Sequence, residues 1–453
     1  MRRARGVVPL KHDSVVKNPA AVGTLVFAAL RPDLDPAGAQ AWLERLDVLV
    51  KGVREATGPD GKRTGTVAVG FSPSFFARFP GVKAPSGFDR LPPVPGSALV
   101  AADVVCYLMA THEAVTATFL RGLSATHPDV AELRTERGYQ PPDRTEPFGY
   151  RDGVRNVARD DRAGVVFVDT DELPEEPPWA HAGTYLAWMK IPQDLDAFAA
   201  IPAAEQDQII GRDRGGRRLD LPETSRFEPP IDGPVPAPGS HVRKAGPRGE
   251  TRDRTQIFRR GLPFAETSAG RFRAGLQFVS FQASLDQLRV VLNRWMLNND
   301  FPAAGSGQDQ LFTRGLAVIE SHGFFFVPPD TDEAIGAGMF APVKDRRPPK
   351  TGKVAVRKRV IDTAGTEIDV DLGGFTFQIV DSATGQPAGE AFTTNSHGHA
   401  LSPELPTGRQ YRLDEIGVAA PFTAATPVPF TLDAARILLR VDNVVTPGST
   451  YQP

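Results

Sequence analysis

The apolar residues of this chain come in short runs, and the order in which those runs alternate with helical patterns limits the folds open to it. "GTLVFAAL" (23–30), "GTVAVGF" (65–71), "DVVCYLM" (103–109), "GTYLAWMKI" (183–191), "GLQFVSFQ" (275–282) and "GFFFVPP" (323–329) are too short for buried helices and read as strands. "GAQAWLERLDVLVKGV" (38–53), "EAVTATFLRGL" (113–123) and "SLDQLRVVLNRWML" (284–297) repeat apolar residues every three or four positions and read as helices. The first half runs strand, helix, strand, strand, helix, with a weaker strand near 131–140. The second half repeats the scheme with strands at 183–191, near 255–264, at 275–282 and at 323–329, and a short helix at 203–210. Each half matches the split β-α-β plan of ferredoxin-like units. The expected fold class is α+β, with two such halves in one body, over residues 1–165 and 166–340.

Near 341–353, "APVKDRRPPKTGK" is rich in proline and charge and reads as a linker. Residues 354–453 show turn signals and short strands without a long helix, an all-β sandwich pattern. The Gly-, Pro- and Arg-rich stretch 212–255 is a long irregular segment, and such segments inside compact domains are usually functional or disordered.

A formal net charge of −2 over 453 residues gives no electrostatic reason to expect nucleic acid or an anionic membrane as partner. Cys106 is the single cysteine, which excludes an intramolecular disulfide and a Cys-cluster metal site. No run of about 18 apolar residues occurs, so no transmembrane helix is expected. The paired arginines of "MRRARGVVPLKHDSVVKN" precede a stretch broken by Lys11, His12, Asp13 and Lys17, which does not form the apolar core of a signal. The expected location is cytoplasmic.

Four stretches carry the chemistry: "FGYRDGVRN" (148–156), "SHVRKAGPR" (240–248), "QIFRRGLPF" (256–264) and "GLQFVSFQ" (275–282). In "GYRDG" an acid lies between glycines that let backbone approach a ligand closely. His241 is one of eight histidines, and Arg259 shares a strand face with Ile257, where a long cation needs a partner. In this order and spacing the four stretches resemble the dye-decolourising peroxidases, a haem peroxidase family, over most of residues 20–335.

The resemblance implies haem b as cofactor, with His241 as the iron ligand. It makes Asp152 the distal acid and Arg259 the distal arginine. Gly153, Val154, Arg155 and Arg248 would contact haem, and Leu276 and Phe278 would line the distal pocket. The implied activity is oxidation of dyes or phenolic-type reductants by hydrogen peroxide through a ferryl intermediate. The implied partners are peroxide and a small-molecule reductant, with the oligomeric state open. Two other readings are a haem-handling or iron-releasing protein with weak peroxidase activity, and a binding module whose haem fold is inactive. Where the family often has an acid that hydrogen-bonds the proximal histidine, this chain has Ser284, with Asp286 two residues on; Gly246 stands where the family often has Asn. Trp179, Trp188, Trp295 and Tyr185 are the candidates for relaying electrons from bulky dyes at the surface.

The C-terminal "GGFTFQIVDSATGQPAGEAFTTNSHGHALSPELPTGRQYRLDE" (373–415) resembles the prealbumin-like modules of Gram-positive surface proteins, many of which carry a Lys–Asn isopeptide cross-link promoted by an acid. Strand alternation puts Lys358 in phase with Val354, Val356 and Val360, Glu415 with Tyr411 and Leu413, and Asn443 with Ile437, Leu439 and Val441. Desolvation on that face favours neutral lysine. The expected cross-link joins Lys358 to Asn443 with Glu415 as the acid.

Overall fold

The computed structural model describes residues 12–16, 21–125, 129–170, 173, 175–222, 228, 231, 233–246, 255–268, 270–331, 333–340, 350–363, 365, 368, 370, 372–395, 398–418, 420–433 and 436–445. Two compact units form, one of residues 1–168 and 179–341, the other of 169–178 and 342–453.

In the first unit the leading strands are β1 (Val22–Leu30), β2 (Gly65–Phe71), the two-residue β3 (Ala98–Leu99), β4 (Val104–Ala110) and β5 (Val130–Tyr139). They order as β5-β1-β4-β2. Counting the four long strands in chain order, that is 4-1-3-2, all antiparallel, the arrangement of a ferredoxin-like unit. The long helix Pro36–Glu55 starts where Asp35 accepts the Gly38 N–H and proline occupies its first turn, both helix-start signals. It buries Trp42, Leu43, Leu46, Val50 and Val53 against one face of the sheet, beside Phe119 and Leu123 of the helix Glu113–Ala125.

The second half repeats the order. Strands β6 (Thr184–Gln193), β7 (Phe258–Arg259), β8 (Leu262–Ser268), β9 (Arg271–Gln282) and β10 (Ser321–Val327) run β10-β6-β9 with β7 and β8 both on the far edge of β9, again 4-1-3-2. The expected single strand near 255–264 is divided at Arg260–Gly261, where Gly261 sits close against β9 backbone. A single register pair, Phe326 with Phe71, connects β10 to β2. Between the halves, Leu25, Phe27, Tyr107 and Met109 pack against Leu186, Trp188, Val279, Phe281 and Phe325. The mixed α+β class with antiparallel sheets is the one expected.

The expected helix 284–297 is also interrupted. Ser284 opens a short α-helix, Leu285–Arg289, with a reciprocal capping box to Gln287, and the chain then widens into a π-helix over Val290–Met296. π-Helical turns recur at functional sites because the wider ladder shifts which carbonyls lie free at the end.

In the second unit the described residues from 351 on form strands only: β11 (Thr351–Ile361), β12 (Thr376–Asp381), β13 (Phe392–Thr393), β14 (His399–Leu401), β15 (Leu405–Pro406), β16 (Arg409–Ile416), β17 (Phe422–Thr423), β18 (Val428–Leu432) and β19 (Arg436–Val445). One sheet orders β14-β11-β19-β17 with β15 on β11, the other β13-β12-β16-β18. Val354, Val356 and Val441 of the first meet Phe377, Ile379, Tyr411, Leu413 and Leu432 of the second in a shared core. β11 and β19 pair in parallel. Within this unit the acidic segment 169–178 places Glu175 in a buried ion pair with His399.

Candidate functional site

β9 has two faces with different duties. Gln277, Val279 and Phe281 point into the core between the halves, while Leu276 and Phe278 are half-buried on the other side. Arg259 lies directly opposite Ser280 on β9. Directly opposed residues of antiparallel strands share a face, so Arg259 joins Leu276, Phe278 and Ser280. The cation therefore lies beside two apolar side chains and away from Phe258, which enters the core.

Arg259 is fixed from three sides. Its Nη2 donates to the Arg155 carbonyl at 2.6 Å, its backbone N–H donates to Asn156 Oδ1 at 3.2 Å, and Asn156 Nδ2 donates to the Arg259 carbonyl at 2.8 Å. "GYRDGVRN" thus reaches Arg259 through its last two residues. Asp152 begins the same turn, with its carboxylate accepting the Gly153 N–H at 2.6 Å. Gly153 has φ +73°, a left-handed conformation with open space where a Cβ would project, and Val154 presents an exposed apolar side chain. Arg155 is held toward Glu228 at 3.5 Å, and Glu228 in turn binds Arg212.

His241 opens the short helix His241–Ala245. Its Nδ1 lies 2.7 Å from Asp309 Oδ2; the imidazole is 34% exposed and the carboxylate 0%. Asp309 also accepts the Leu311 N–H at 3.0 Å as N-cap of the helix Gln310–Thr313. Burial works against an imidazolium here, but the charge and hydrogen bond of Asp309 together hold the His241 pKa above its ordinary value, and Arg259 opposes them. Among the described residues Nε2 has no hydrogen-bond partner.

The acid behind the histidine is therefore Asp309, not Ser284 or Asp286. Ser284 is spent on its helix cap, and Asp286 pairs with Arg289. The signal for Asp309 was an N-cap aspartate ahead of the apolar "QLF"; its 68-residue distance from His241 left it unconnected in sequence. Of the aromatic relay candidates, Trp188, Tyr185 and Trp295 are core residues, with Trp188 Nε1 donating to Gln277 and Tyr185 Oη accepting the Gly87 N–H. Trp179 is half-buried, packed on Phe76 and Phe326. Gly246 ends the His241 helix, its N–H bonded to the Val242 carbonyl. Arg248 lies outside the described residues.

This set has the chemistry of a site for a planar, largely apolar metal macrocycle. It combines an imidazole oriented through one nitrogen with the other open, half-exposed aliphatic and aromatic side chains, and a glycine turn free of side-chain bulk. Haem meets those demands.

In the second unit, Lys358, Glu415 and Asn443 converge. Lys358 Nζ is 2.8 Å from Glu415 Oε1, with side-chain exposures of 0% and 1%, and it donates to Asn443 Oδ1. The rings of Phe375 and Phe377 lie 4.9 Å and 5.9 Å from Nζ. Burial pushes the Lys358 pKa down, and Glu415 opposes that shift.

Residues 143–332 match the family described as Dyp-type peroxidase, C-terminal. The deferrochelatase of Escherichia coli K12 is 28% identical over 215 residues, covering 42% of this chain and 49% of that protein. The chain thus aligns with about half the length of the curated relatives it matches. A DyP-type peroxidase from Streptomyces coelicolor superposes with TM-score 0.60 at 22% identity, over 74% of this chain and 97% of the other. One from Cellulomonas bogoriensis gives 0.58 at 23%, over 73% and 95%. At these identities the structural likeness establishes the fold.

Proposed function

We propose that this chain, whose residues 143–332 match the family described as Dyp-type peroxidase, C-terminal, is a peroxidase of that family that binds haem b and uses hydrogen peroxide to oxidise small organic reductants such as dyes and phenols. The observation that carries the reading is His241, anchored at Nδ1 by a fully buried aspartate with Nε2 left for iron.

Bound haem would supply the iron and the ring that hold the oxidising equivalents. The remaining work falls to the chain. Asp309 keeps the proton on Nδ1 and the ring in one orientation, which also makes Nε2 a stronger donor. Asp152 takes the proton from peroxide and returns it to the departing oxygen, base and then acid. Arg259 cannot give up its proton usefully and so provides a fixed positive charge where negative charge develops. Leu276 and Phe278 keep the pocket small and dry. Peroxide-dependent bleaching of a test dye at mildly acidic pH is the expected result; a haem-loaded protein that consumes no peroxide would reject the reading.

The Escherichia coli relatives named deferrochelatase support a second reading, removal of iron from haem on the same fold. It requires iron-free porphyrin to accumulate from added haem, which porphyrin fluorescence detects without any dye.

For the second unit we propose a prealbumin-like sandwich closed by an amide between Lys358 and Asn443. The neutral amine attacks the Asn443 side-chain carbonyl, the new C–N bond forms, and ammonia leaves while Glu415 relays the proton. The buried contact of the three side chains supports it, and intact mass tests it.

A further inference from the structure

The turn that presents Asp152 is built from within. Across residues 144–152, Glu146 N–H donates to the Tyr150 carbonyl at 2.9 Å, Gly149 N–H to the Glu146 carbonyl at 2.8 Å, and Asp152 N–H to the Arg144 carbonyl at 2.8 Å. Gly149 holds φ +87° and Arg144 φ +58°, so backbone preference alone does not maintain this shape.

Two side chains clamp it. The Glu146 carboxyl group folds back inside the turn and accepts the N–H groups of Phe148 and Tyr150, each at 3.1 Å, and Nε2 of Gln193 at the end of β6, also at 3.1 Å. From the other side, Arg214 Nη1 donates to the Phe148 carbonyl at 3.0 Å, its Nη2 binds Gln206 Oε1 at 2.5 Å, and its guanidinium lies 4.9 Å from the Tyr150 ring centroid. Arg214 lies against Gly149, whose φ of +87° is the feature that calls for glycine. Tyr150 Oη donates to Asp207 at 2.6 Å, tying the turn to the helix Ala203–Ile210.

We propose that Glu146 and Arg214 are positioning residues for Asp152: together they fix the turn so that the carboxylate sits where peroxide must be deprotonated. The inference rests on the peroxidase reading. Glu146 acts on the turn through the hydrogen bonds it accepts. Burial pushes its pKa up, against the hydrogen bonds it accepts, and the nearby Asp152 charge adds to the rise. Oε2 accepts the Phe148 and Gln193 N–H groups and Oε1 that of Tyr150, so a glutamine, with one acceptor oxygen, keeps part of the set and turns its amide toward the remaining donor.

The test compares Glu146→Ala, Glu146→Gln and Asp152→Asn in the haem-loaded chain by stopped-flow reaction with peroxide, together with amide hydrogen exchange over 144–152 in the haem-free protein. Glu146→Ala is expected to slow the peroxide step about 10²-fold, the scale of an ångström-size misplacement. The KM for reductant should stay unchanged and exchange at Phe148, Tyr150 and Asp152 should rise, with Glu146→Gln, which keeps part of the acceptors, falling between wild type and Glu146→Ala in both. Wild-type rates in Glu146→Ala while Asp152→Asn is slow would overturn the clamp, as would a Glu146→Gln variant that keeps wild-type exchange at both Phe148 and Tyr150. If Asp152→Asn reacts at the wild-type rate, the role given to Asp152 fails, and unchanged exchange in Glu146→Ala then rejects the clamp separately. Arg214→Met attacks the turn from its other side and carries the same expectations should Glu146→Ala not fold.

Discussion

Replacing Asp309 by asparagine isolates what the buried carboxylate does for His241. The two oxygens have separate tasks: Oδ2 meets Nδ1 at 2.7 Å and Oδ1 accepts the Leu311 N–H at 3.0 Å. Asparagine has one oxygen for the two. With that oxygen toward His241, its amide faces the Leu311 N–H and the helix cap is lost, at about 1 kcal/mol. With the amide toward His241, it donates to Nδ1 and drives the proton to Nε2, the nitrogen that must be bare to bind iron. Either way the charge-assisted bond goes, worth about 1.5–3 kcal/mol. That energy corresponds to about 10–100-fold in haem affinity, matching the usual cost of removing the partner of a metal-bound histidine. The assay is equilibrium partition of haem between the variant and a haem-scavenging apoprotein, with the Soret position read in parallel. An Asp309→Asn variant that keeps haem as tightly as wild type, with an unshifted Soret band, would refute the reasoning.

Three other outcomes follow from particular contacts. Arg259→Leu should slow the peroxide step by about 10²–10³, the usual cost of losing one preorganised charge, measured by stopped flow at saturating haem. Glu136→Gln should destabilise the first unit by about 1.5–3 kcal/mol, the scale of a lost charge-assisted hydrogen bond, because Lys190, buried with Glu136 at 2.8 Å, still keeps Glu266 at 3.0 Å. Burial pushes the Glu136 pKa up, but Lys190, Arg134 and Gln277 together bring it below its ordinary value. Its contribution is therefore present above the unfolded-state pKa and lost as pH falls through the lower folded one, so denaturant midpoints of the variant should vary less with pH on the acid side. For the second unit, the intact chain should be lighter than its sequence by one ammonia and regain that mass in Glu415→Ala; a wild-type mass equal to the plain sequence excludes the cross-link.

The fold was legible where periodicity is a local property. The short apolar runs of β1, β4, β6 and β9 and the helical spacing of Trp42, Leu46, Val50 and Val53 depend on neighbours a few residues apart, so the ferredoxin-like plan of both halves could be anticipated. Phase was equally informative in β11, where Val354, Val356, Lys358 and Val360 are all buried and bring Lys358 to Asn443. What was hidden depended on long-range pairing. Asp309 reaches His241 across 68 residues, and a short N-cap motif says nothing about which side chain its second oxygen serves. The π-helical Val290–Met296 keeps an apolar pattern close to an α-helix and so read as a continuation. Trp188 and Tyr185 were relay candidates that could equally be core residues of a strand; they are core, with Gln277 and the Gly87 N–H meeting their polar atoms inside.

The central claim is that His241 holds a haem iron that peroxide reaches. The most direct measurement is the absorption spectrum of the haem-reconstituted chain and of His241→Ala, before and after one equivalent of hydrogen peroxide. The account predicts a Soret band in the wild-type protein that shifts within the mixing time and returns when a phenolic reductant is added, and weak or lost haem binding in His241→Ala. A His241→Ala protein with full haem loading and the wild-type Soret band, or a wild-type spectrum that peroxide leaves unchanged, would contradict it.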